Sequence, residues 1–292
     1  MTTSNGREPV LVMTYGPSGS GKTTDDGYSF PNAVFLAAPG ALHSIRSICG
    51  YQPRQIEANT VDDATKFLRQ VNSNNGIDAV VVDDFSFLAE QQFAAYDKRF
   101  SGFTLWGKLR DSILDFRNAA RTAGVHVILN CWEAGPKMRQ DGTRVRGGPM
   151  LSGKLPEQVP AMCDMVLRCG HEAARRPWPG VYQCSYSTDY VMKDRLDIAA
   201  RTNPAPMNLG ELLRAAGYQV SRHPDLDWQE AVVENLTAQM MESEDQITAA
   251  NAAYAALLES GVEPTVARWT LRDATDRVVI RRALDTRNST FF

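Results

Sequence analysis

Short apolar runs alternate with amphipathic stretches along the first 170 residues of the chain. Five runs have the length of one buried strand each: residues 8–15, 33–38, 79–83, 125–130 and 165–169. Between them, residues 61–71 and 105–120 repeat apolar side chains at helical spacing, with Thr60 and Asp63 as a cap pair and Gly124 as a stop signal. This alternation predicts an α/β fold in which a mostly parallel central sheet is flanked by helices.

The pattern changes beyond residue 170. Residues 178–180 (Trp-Pro-Gly) are typical of a turn, residues 181–187 alternate in the β manner, and residues 190–192 predict a further short strand. Antiparallel strands at one edge of the sheet are therefore expected. A helix over residues 208–216 follows, with Asn208 as its cap and Glu211 three residues later.

The last 70 residues are helical in character. Trp228, Val232, Leu236 and Met240 share one helical face, residues 247–258 are alanine-rich, and residues 265–284 predict another helix. We therefore expect a core over residues 1–221 and a C-terminal helical appendage with a tail over residues 222–292.

A glycine-rich motif directly follows the first predicted strand. Residues 16–23 read G-P-S-G-S-G-K-T and match the full pattern G-x-x-x-x-G-K-S/T. In such a loop, backbone N–H groups point at a β-phosphate, Lys22 supplies a positive charge and the hydroxyl of Thr23 binds Mg²⁺. The predicted nucleotide contacts are Gly16, Pro17, Ser18, Gly19, Ser20, Gly21, Lys22, Thr23 and Thr24. The motif predicts binding of a nucleoside triphosphate; the alternative is a Gly/Ser-rich surface turn.

The helix that opens at this loop is unusually polar. It carries Asp25, Asp26 and Gly27 and must end before Pro31. Its acidic residues are tolerable in a first turn, but they leave the helix little apolar surface for packing.

A second half of the nucleotide site is expected at the end of the third strand. The run 80–82 is followed by Asp83, which we predict to bind Mg²⁺; two exposed aspartates in a turn are the alternative. The attacking water could be oriented by Asp84 or by Glu133, with Asn130 as a polar sensor. The sequence does not decide between the two carboxylates.

Composition limits the function classes. With 31 basic and 34 acidic residues the net charge is −3, so nucleic-acid binding would have to come from a local patch. The five cysteines form no C-x-x-C pair, which favours buried reduced thiols, and no apolar stretch approaches the ~18 residues of a membrane span. We therefore expect a cytoplasmic protein that does not insert into membranes.

The motifs taken together resemble those of the RecA-like P-loop ATPases common in tailed bacteriophages, some of which are single-strand DNA annealing or recombination proteins. The resemblance rests on residues 16–23, 80–84, 147–156 and 191–195. It implies a RecA-type core that binds ATP and Mg²⁺, assembly into a ring or filament, and single-stranded DNA as a partner in the host-cell cytoplasm. A phage or host replication or recombination protein is a further implied partner.

The resemblance also implies roles for two groups of basic residues. Lys193 and Arg195 match a pair that reaches the γ-phosphate of a neighbouring subunit; a salt-bridge patch with Asp194 and Asp197 is the alternative. The loop over residues 135–155 corresponds to one that lines the DNA path; a solvated β-hairpin insertion is the alternative. Its five cations are Lys137, Arg139, Arg144, Arg146 and Lys154.

One departure from the family pattern concerns catalysis. RecA-type enzymes carry a glutamate shortly after the second strand, whereas residues 37–40 here read Ala-Ala-Pro-Gly. A slow ATPase, a different base or a nucleotide switch would each explain this. A ring-forming DNA translocase or helicase-type motor, a small-molecule phosphotransferase and a nucleotide-gated interaction module remain alternative functions.

Overall fold

A computed structural model describes residues 7–71, 76–170, 180–221 and 230–288. The predicted turn residues Trp178 and Pro179, the helical-face residue Trp228 and the predicted tail at 289–292 lie outside these ranges. The strands are β1 (Leu11–Gly16), β2 (Val34–Ala37), β3 (Arg54–Ile56), β4 (Ala79–Asp83), β5 (His126–Ala134), β6 (Lys137–Met138), β7 (Arg144–Val145), β8 (Gly148–Pro149), β9 (Met165–Gly170), β10 (Val181–Gln183), β11 (Lys193–Asp194) and β12 (Ala205–Pro206).

The helices follow the same chain order. They are α1 (Lys22–Ser29), α2 (Val61–Leu68), α3 (Phe85–Asp97), α4 (Gly102–Thr122), α5 (Leu155–Met162), α6 (Ile198–Thr202), α7 (Leu209–Ala215), α8 (Glu230–Glu242), α9 (Gln246–Glu259) and α10 (Pro264–Asn288), with a π-helical turn over Ile45–Cys49. The predicted capping box at Thr60 and Asp63 and the predicted cap at Asn208 are both confirmed.

The central sheet has the strand order β12-β10-β9-β1-β5-β4-β2-β3. From β9 to β3 all neighbours are parallel, whereas β10, β11 and β12 pair antiparallel at the other edge. The predicted mostly parallel sheet and its antiparallel edge are confirmed. Because β5 lies between β1 and β4, the phosphate-binding loop and Asp83 emerge at the same sheet end with Asn130 between them.

Alternate residues of the central strands face two different layers of helices. Met13 and Val82 pack in one buried cluster together with residues of α2, α3 and α4. Val12 and Val81 pack in a second cluster, with the π-helical turn and α7. This period of two is what a sheet covered on both faces requires.

Two local predictions from the pattern differed from the structure, and two elements were not predicted. The strand expected at 190–192 lies instead at Lys193–Asp194, and β5 extends four residues beyond 130. Neither β3 nor α3 was predicted: β3 has only three residues and two of them are exposed, so it shows no buried pattern. In α3 apolar residues occur around most of the helix, which obscures a helical period.

The C-terminal helices form a third buried cluster that includes Val233, Leu236 and Leu257. Helix α10 also reaches the sheet, since its Trp269 and Ile280 pack in the second cluster. The division at residue 221 remains a prediction. No helix within the described ranges is long and apolar enough to cross a membrane.

Candidate nucleotide-binding site

The phosphate-binding loop connects β1 to α1, and two of its glycines are required by its path. Gly21 has a φ of 92°, a left-handed conformation that side chains disfavour. A Cβ on Gly16 would come within 2.8 Å of the carbonyl oxygen of Cys169 on the neighbouring strand. The loop can therefore wrap tightly at the carboxyl end of β1.

The start of α1 is open toward the loop. Gly21 provides no side-chain cap, so the first N–H groups of the helix are left to an external acceptor. The Nζ atom of Lys22 lies over the loop and donates to the carbonyl oxygens of Gly16 (3.0 Å) and Pro17 (3.1 Å) and to Ser20 Oγ (3.3 Å). This end of α1 therefore combines uncapped amides, the positive end of the helix dipole and a lysine. Such a combination is suited to binding an anionic phosphate group.

Thr23 and Asp83 meet beneath this loop. The hydroxyl of Thr23 donates to Asp83 Oδ2 across 2.7 Å, and Asn130 Nδ2 donates to Asp83 Oδ1 across 3.1 Å. Burial raises the pKa of Asp83, against the opposing effect of these hydrogen bonds and of Lys22. A bound cation would favour the ionised carboxylate, so the hydroxyl and carboxylate are a chemically suitable pair for Mg²⁺.

Asn130 joins this pair to the polar face of α1. Its Nδ2 atom also donates to Asp26 Oδ2 (2.6 Å), and its Oδ1 atom accepts from the hydroxyl of Thr14 (2.6 Å). Asp26 is fully buried, its Oδ1 has no hydrogen-bond partner among the described residues, and burial together with Asp25 raises its pKa well above the usual range. The acidic residues of α1 are thus built into a buried polar network, which the sequence did not predict.

The two candidates for orienting water have different surroundings. Asp84 caps the start of α3 by accepting from Phe87 N (3.2 Å), and burial raises its pKa to about 6. Glu133 is held by Arg168, whose Nε and Nη2 atoms donate to its two carboxylate oxygens across 2.8 and 3.0 Å. Asp84 lines the cleft above the loop and Glu133 is not part of that lining.

This cleft has a volume of about 730 Å³ and is lined by both polar and apolar residues. Its floor is formed by residues 18–24 with Asp83 and Asp84, while its apolar walls include Phe87 and Trp132. Trp132, not predicted as a site residue, is placed there because β5 aligns it with Gly16. Residues 37–40, which lack the glutamate expected of a RecA-type enzyme, contribute Ala38 to the lining of the cleft.

Lys193 and Arg195 lie away from the loop of their own chain. Lys193 pairs with Val166 in the first half of β9, whereas the loop emerges past the carboxyl end of β1. The ammonium group of Lys193 donates to the carbonyl oxygens of Pro160, Ala161 and Cys163 at the end of α5. Arg195 is more than half exposed, with Nη1 at 3.6 Å from Asp164 Oδ1.

The basic loop after β5 is a small hairpin. Strands β6 and β7 pair antiparallel, and its cations Lys137, Arg139, Arg144 and Arg146 are exposed. Arg144 forms an ion pair with Asp189, while Lys154 is exposed at the start of α5. The five predicted cations are therefore on the surface, and they do not contact the cleft.

Two other features bear on site chemistry. All five cysteines are buried with free thiols. The described part of the chain contains no cluster of three or more His, Cys, Asp or Glu residues that could hold a metal ion by itself. A cation at Thr23 and Asp83 would therefore need further oxygen ligands from a nucleotide or water.

Comparison with known proteins identifies the family. Two solved structures are similar over most of their own length: the RadB recombinase (18% identity, 64% of this chain and 87% of that chain, TM-score 0.38) and a KaiC-like protein from Pyrococcus horikoshii OT3 (16% identity, 65% and 86%, TM-score 0.38). Likeness at this level supports no functional inference. No curated protein sequence matches. The sequence profile of the AAA domain family AAA_24 matches residues 8–196, about two thirds of the chain, and the chain therefore belongs to this family of P-loop ATPase domains.

Proposed function

We propose that this protein is a Mg²⁺-dependent ATPase that binds single-stranded DNA and assists annealing or recombination as a ring or filament. The observation that carries the ATPase part is the contact of Thr23 with Asp83 below an uncapped helix start. Mg²⁺ would neutralise phosphate charge when bound. Lys22 and the loop amides would hold the phosphates, while Thr23 and Asp83 would hold the ion.

Asp84 is the better placed of the two carboxylates to orient the attacking water. It lines the cleft next to Asp83, whereas both oxygens of Glu133 are occupied by Arg168. The apolar segment around Ala38 supplies no competing acid. We therefore assign the water-orienting role to Asp84.

The DNA-binding part of the proposal is supported by the exposed basic hairpin. Four cations lie within ten residues there, and Asp141 is the single acid between them. Such a surface binds a nucleic-acid strand through its phosphates, because each phosphate that a cation neutralises releases counterions and this release favours binding. A negative net charge of −3 makes a local patch of this kind necessary.

An aromatic groove is lined by Lys154, the fifth cation of the predicted DNA-binding loop. Phe103 is 97% exposed and Trp106 44% exposed, and with Arg110 and Lys154 they line a groove of about 560 Å³. Trp106 lies against Gly153, directly before Lys154. Residues 98–110 contain four basic residues and no acidic one. Exposed rings among cations are the combination that stacks single-stranded bases and holds their backbone.

Assembly is supported by the position of Arg195. Its guanidinium is exposed but lies beside the amino-terminal half of β9, away from the loop of its own chain. Contact with a γ-phosphate would therefore have to be made in a neighbouring subunit. Lys193 is engaged by the carbonyl oxygens at the end of α5, so Arg195 is the residue that we assign to this role.

Binding of a fluorescently labelled oligothymidylate to the full chain tests the DNA-binding function. With a non-hydrolysable ATP analogue present, each phosphate contact should contribute about −0.7 to the slope of log K against log[salt]. We expect a variant with Lys137, Arg139, Arg144 and Arg146 all changed to alanine to lose much of this slope. The matched control changes Lys66, Arg69, Arg117 and Arg268, which are exposed elsewhere. Equal slopes for the two variants would refute the assignment of the hairpin.

The aromatic groove gives a second readout on the same oligonucleotide. Phe103→Ala should weaken binding by about 1–3 kcal/mol for each base that loses its stacking partner, with little change in salt slope. Ile247→Ala removes another exposed apolar side chain, on α9, and serves as the control.

Two other results would favour the alternative functions. ATP-dependent phosphorylation of a nucleoside or metabolite without DNA would favour a phosphotransferase, and directional strand displacement would favour a translocase.

A further inference from the structure

The carboxylate of Asp25 accepts hydrogen bonds from three other elements of the fold as well as from Ser29 of its own helix. It is completely buried and lies in the first turn of α1, directly after the phosphate-binding loop. Its Oδ1 atom accepts from Arg272 Nη2 (2.6 Å), and its Oδ2 atom accepts from the hydroxyl of Tyr182 and from Leu209 N (3.2 Å). Donors from β10, α7 and α10 therefore converge on one side chain of α1.

Arg272 contacts α1 at a second point. Its guanidinium lies over the ring of Tyr28, 4.5 Å from the centroid, and Tyr28 packs edge-on against Trp269 at 4.9 Å. Arg272 itself is only 8% exposed and also donates to the carbonyl oxygen of Met207. A guanidinium of this kind supplies a fixed fork of donors, so it restrains both the position and the rotation of α1.

The start of α7 completes the connection. Asn208, the cap of α7, donates to Asp273 Oδ1 (2.9 Å) and to Asp276 Oδ2 (3.2 Å) of α10. The next residue, Leu209, is the one whose N–H group binds Asp25. Helix α10 is thus attached to α1 directly through Arg272 and indirectly through α7.

The geometry of α1 makes this restraint important for the nucleotide site. The helix has eight residues and is about 12 Å long, so a shift at Asp25 also moves Lys22 and Thr23 in the same turn. On its other side α1 is joined to the sheet by the hydrogen bond from Asn130 to Asp26. The helix therefore lies between a contact with Asn130 of the sheet and a contact with the C-terminal helices.

We propose that Arg272 is a positioning residue for nucleotide binding: through Asp25 it fixes the orientation of α1, and the C-terminal helical region thereby sets the affinity of the phosphate-binding loop. This inference rests on the proposed nucleotide-binding function but is independent of DNA binding. It assigns to residues 264–285 a role in the ATPase site that nothing in the family motif contains.

The test measures the dissociation constant of a fluorescent ADP analogue with Mg²⁺ on the full chain. Because Arg272 holds α1, and with it Lys22 and Thr23, we expect Arg272→Met to weaken binding by about tenfold or more, which corresponds to about 1.4 kcal/mol or more. Arg272→Lys keeps the charge and should recover part of the affinity. The matched control is Arg281→Met, on the same helix as Arg272; it removes a surface ion pair with Glu234 of α8 and should bind as wild type.

A double variant separates positioning from folding. Removing one partner of a buried ion pair destabilises a protein strongly, whereas removing both is often tolerated. Asp25→Asn/Arg272→Met should therefore melt closer to wild type than Arg272→Met alone, yet still bind the ADP analogue weakly. A folded double variant with wild-type affinity would overturn the inference.

A measurement on the unmodified protein gives an independent answer. Coupling between two sites is reciprocal, so binding of ADP and Mg²⁺ should slow amide hydrogen exchange in residues 264–280 as well as in α1. Unchanged exchange in α10 would count against the inference. Lys22→Ala identifies failure of the proposed function itself: if wild type and Lys22→Ala bind the ADP analogue equally, the loop is not the nucleotide site.

Discussion

The hydroxyl of Thr23, in the first turn of α1, donates a hydrogen bond to Oδ2 of Asp83, the last residue of β4, across 2.7 Å. Helix α1 follows β1, strand β5 lies between β1 and β4, and Asn130 of β5 donates to the other oxygen of Asp83. The proposed Mg²⁺ site therefore has both of its protein groups oriented by hydrogen bonds. Ligand groups oriented in this way can bind a metal ion without moving first.

Removing either group should separate nucleotide binding from hydrolysis. We expect Thr23→Ala and Asp83→Asn to lower the rate of Mg²⁺-dependent ATP hydrolysis by about 100-fold or more, because charge on the transferred phosphoryl group loses its compensation. Binding of ADP in EDTA should change little. Steady-state phosphate release and equilibrium binding measure the two effects, with Asp115→Asn, an exposed surface carboxylate, as the control. Equal losses of ADP binding with and without Mg²⁺ would contradict the assignment.

Asn130 should matter for folding more than its single amide suggests. Asn130→Ala removes the donor to Asp26 and Asp83 and the acceptor for Thr14, and all of these groups are buried. A buried polar group left without a partner costs about 1–3 kcal/mol, so the free energy of unfolding should fall by at least that amount. Urea unfolding measures it, and Asn118→Ala on the exposed face of α4 should change stability little. An Asn130→Ala protein as stable as wild type would argue against the network.

The phosphate loop and the strands on either side of Asn130 could be predicted because their signals are local. The run 79–83 coincides with β4, and the loop motif lies where the sequence placed it, between a strand and a helix. Each depends on side chains within a few positions of one another. Burial on both faces of the sheet leaves a continuous apolar run that needs no knowledge of the partner strands.

The remaining parts of the site depend on pairs that are far apart in the chain. Arg272 and Asp25 are separated by 247 positions, and Arg168 and Glu133 by 35. Nothing in the neighbourhood of Glu133 distinguishes a free carboxylate from one held by arginine, so the sequence left it equal to Asp84. The polar composition of α1 was itself a signal: acidic residues on a helix that must be buried imply partners supplied from elsewhere.

Asp84 and Glu133 can be distinguished by conservative substitutions. Asp84→Asn should keep the cap of α3, since asparagine caps helices as well as aspartate does, but lower ATP hydrolysis by about 10²–10⁴-fold. Glu133→Gln should leave Arg168 without its ionic partner and lower the melting temperature, while hydrolysis at a temperature where the protein is folded changes much less. Phosphate release and thermal melting of both variants provide the comparison. The reverse pattern would assign the water-orienting role to Glu133.

His126 should make stability depend on pH near neutrality. The ring is buried and neutral in the fold: Nδ1 accepts from Val10 N (3.2 Å), and Nε2 lies 3.3 Å from the carbonyl oxygen of Gln219, to which it can donate. Burial lowers the pKa of His126 in the folded protein, so below the unfolded value of about 6.5 the unfolded chain binds a proton that the fold does not. The stabilisation is therefore complete above about pH 6.5 and is lost as pH falls toward the folded pKa.

This dependence can be isolated by comparing variants. In urea unfolding from about pH 7.5 to 5, wild type should lose up to about 1.4 kcal/mol per pH unit that a His126→Gln variant does not lose. Buried carboxyls such as Asp84, whose pKa is raised, act in the opposite direction, but they are present in both proteins and cancel in the difference. His43→Gln replaces an exposed histidine and should keep the wild-type slope. If wild type and His126→Gln showed the same pH profile, the ring would not be held in its neutral form by the fold.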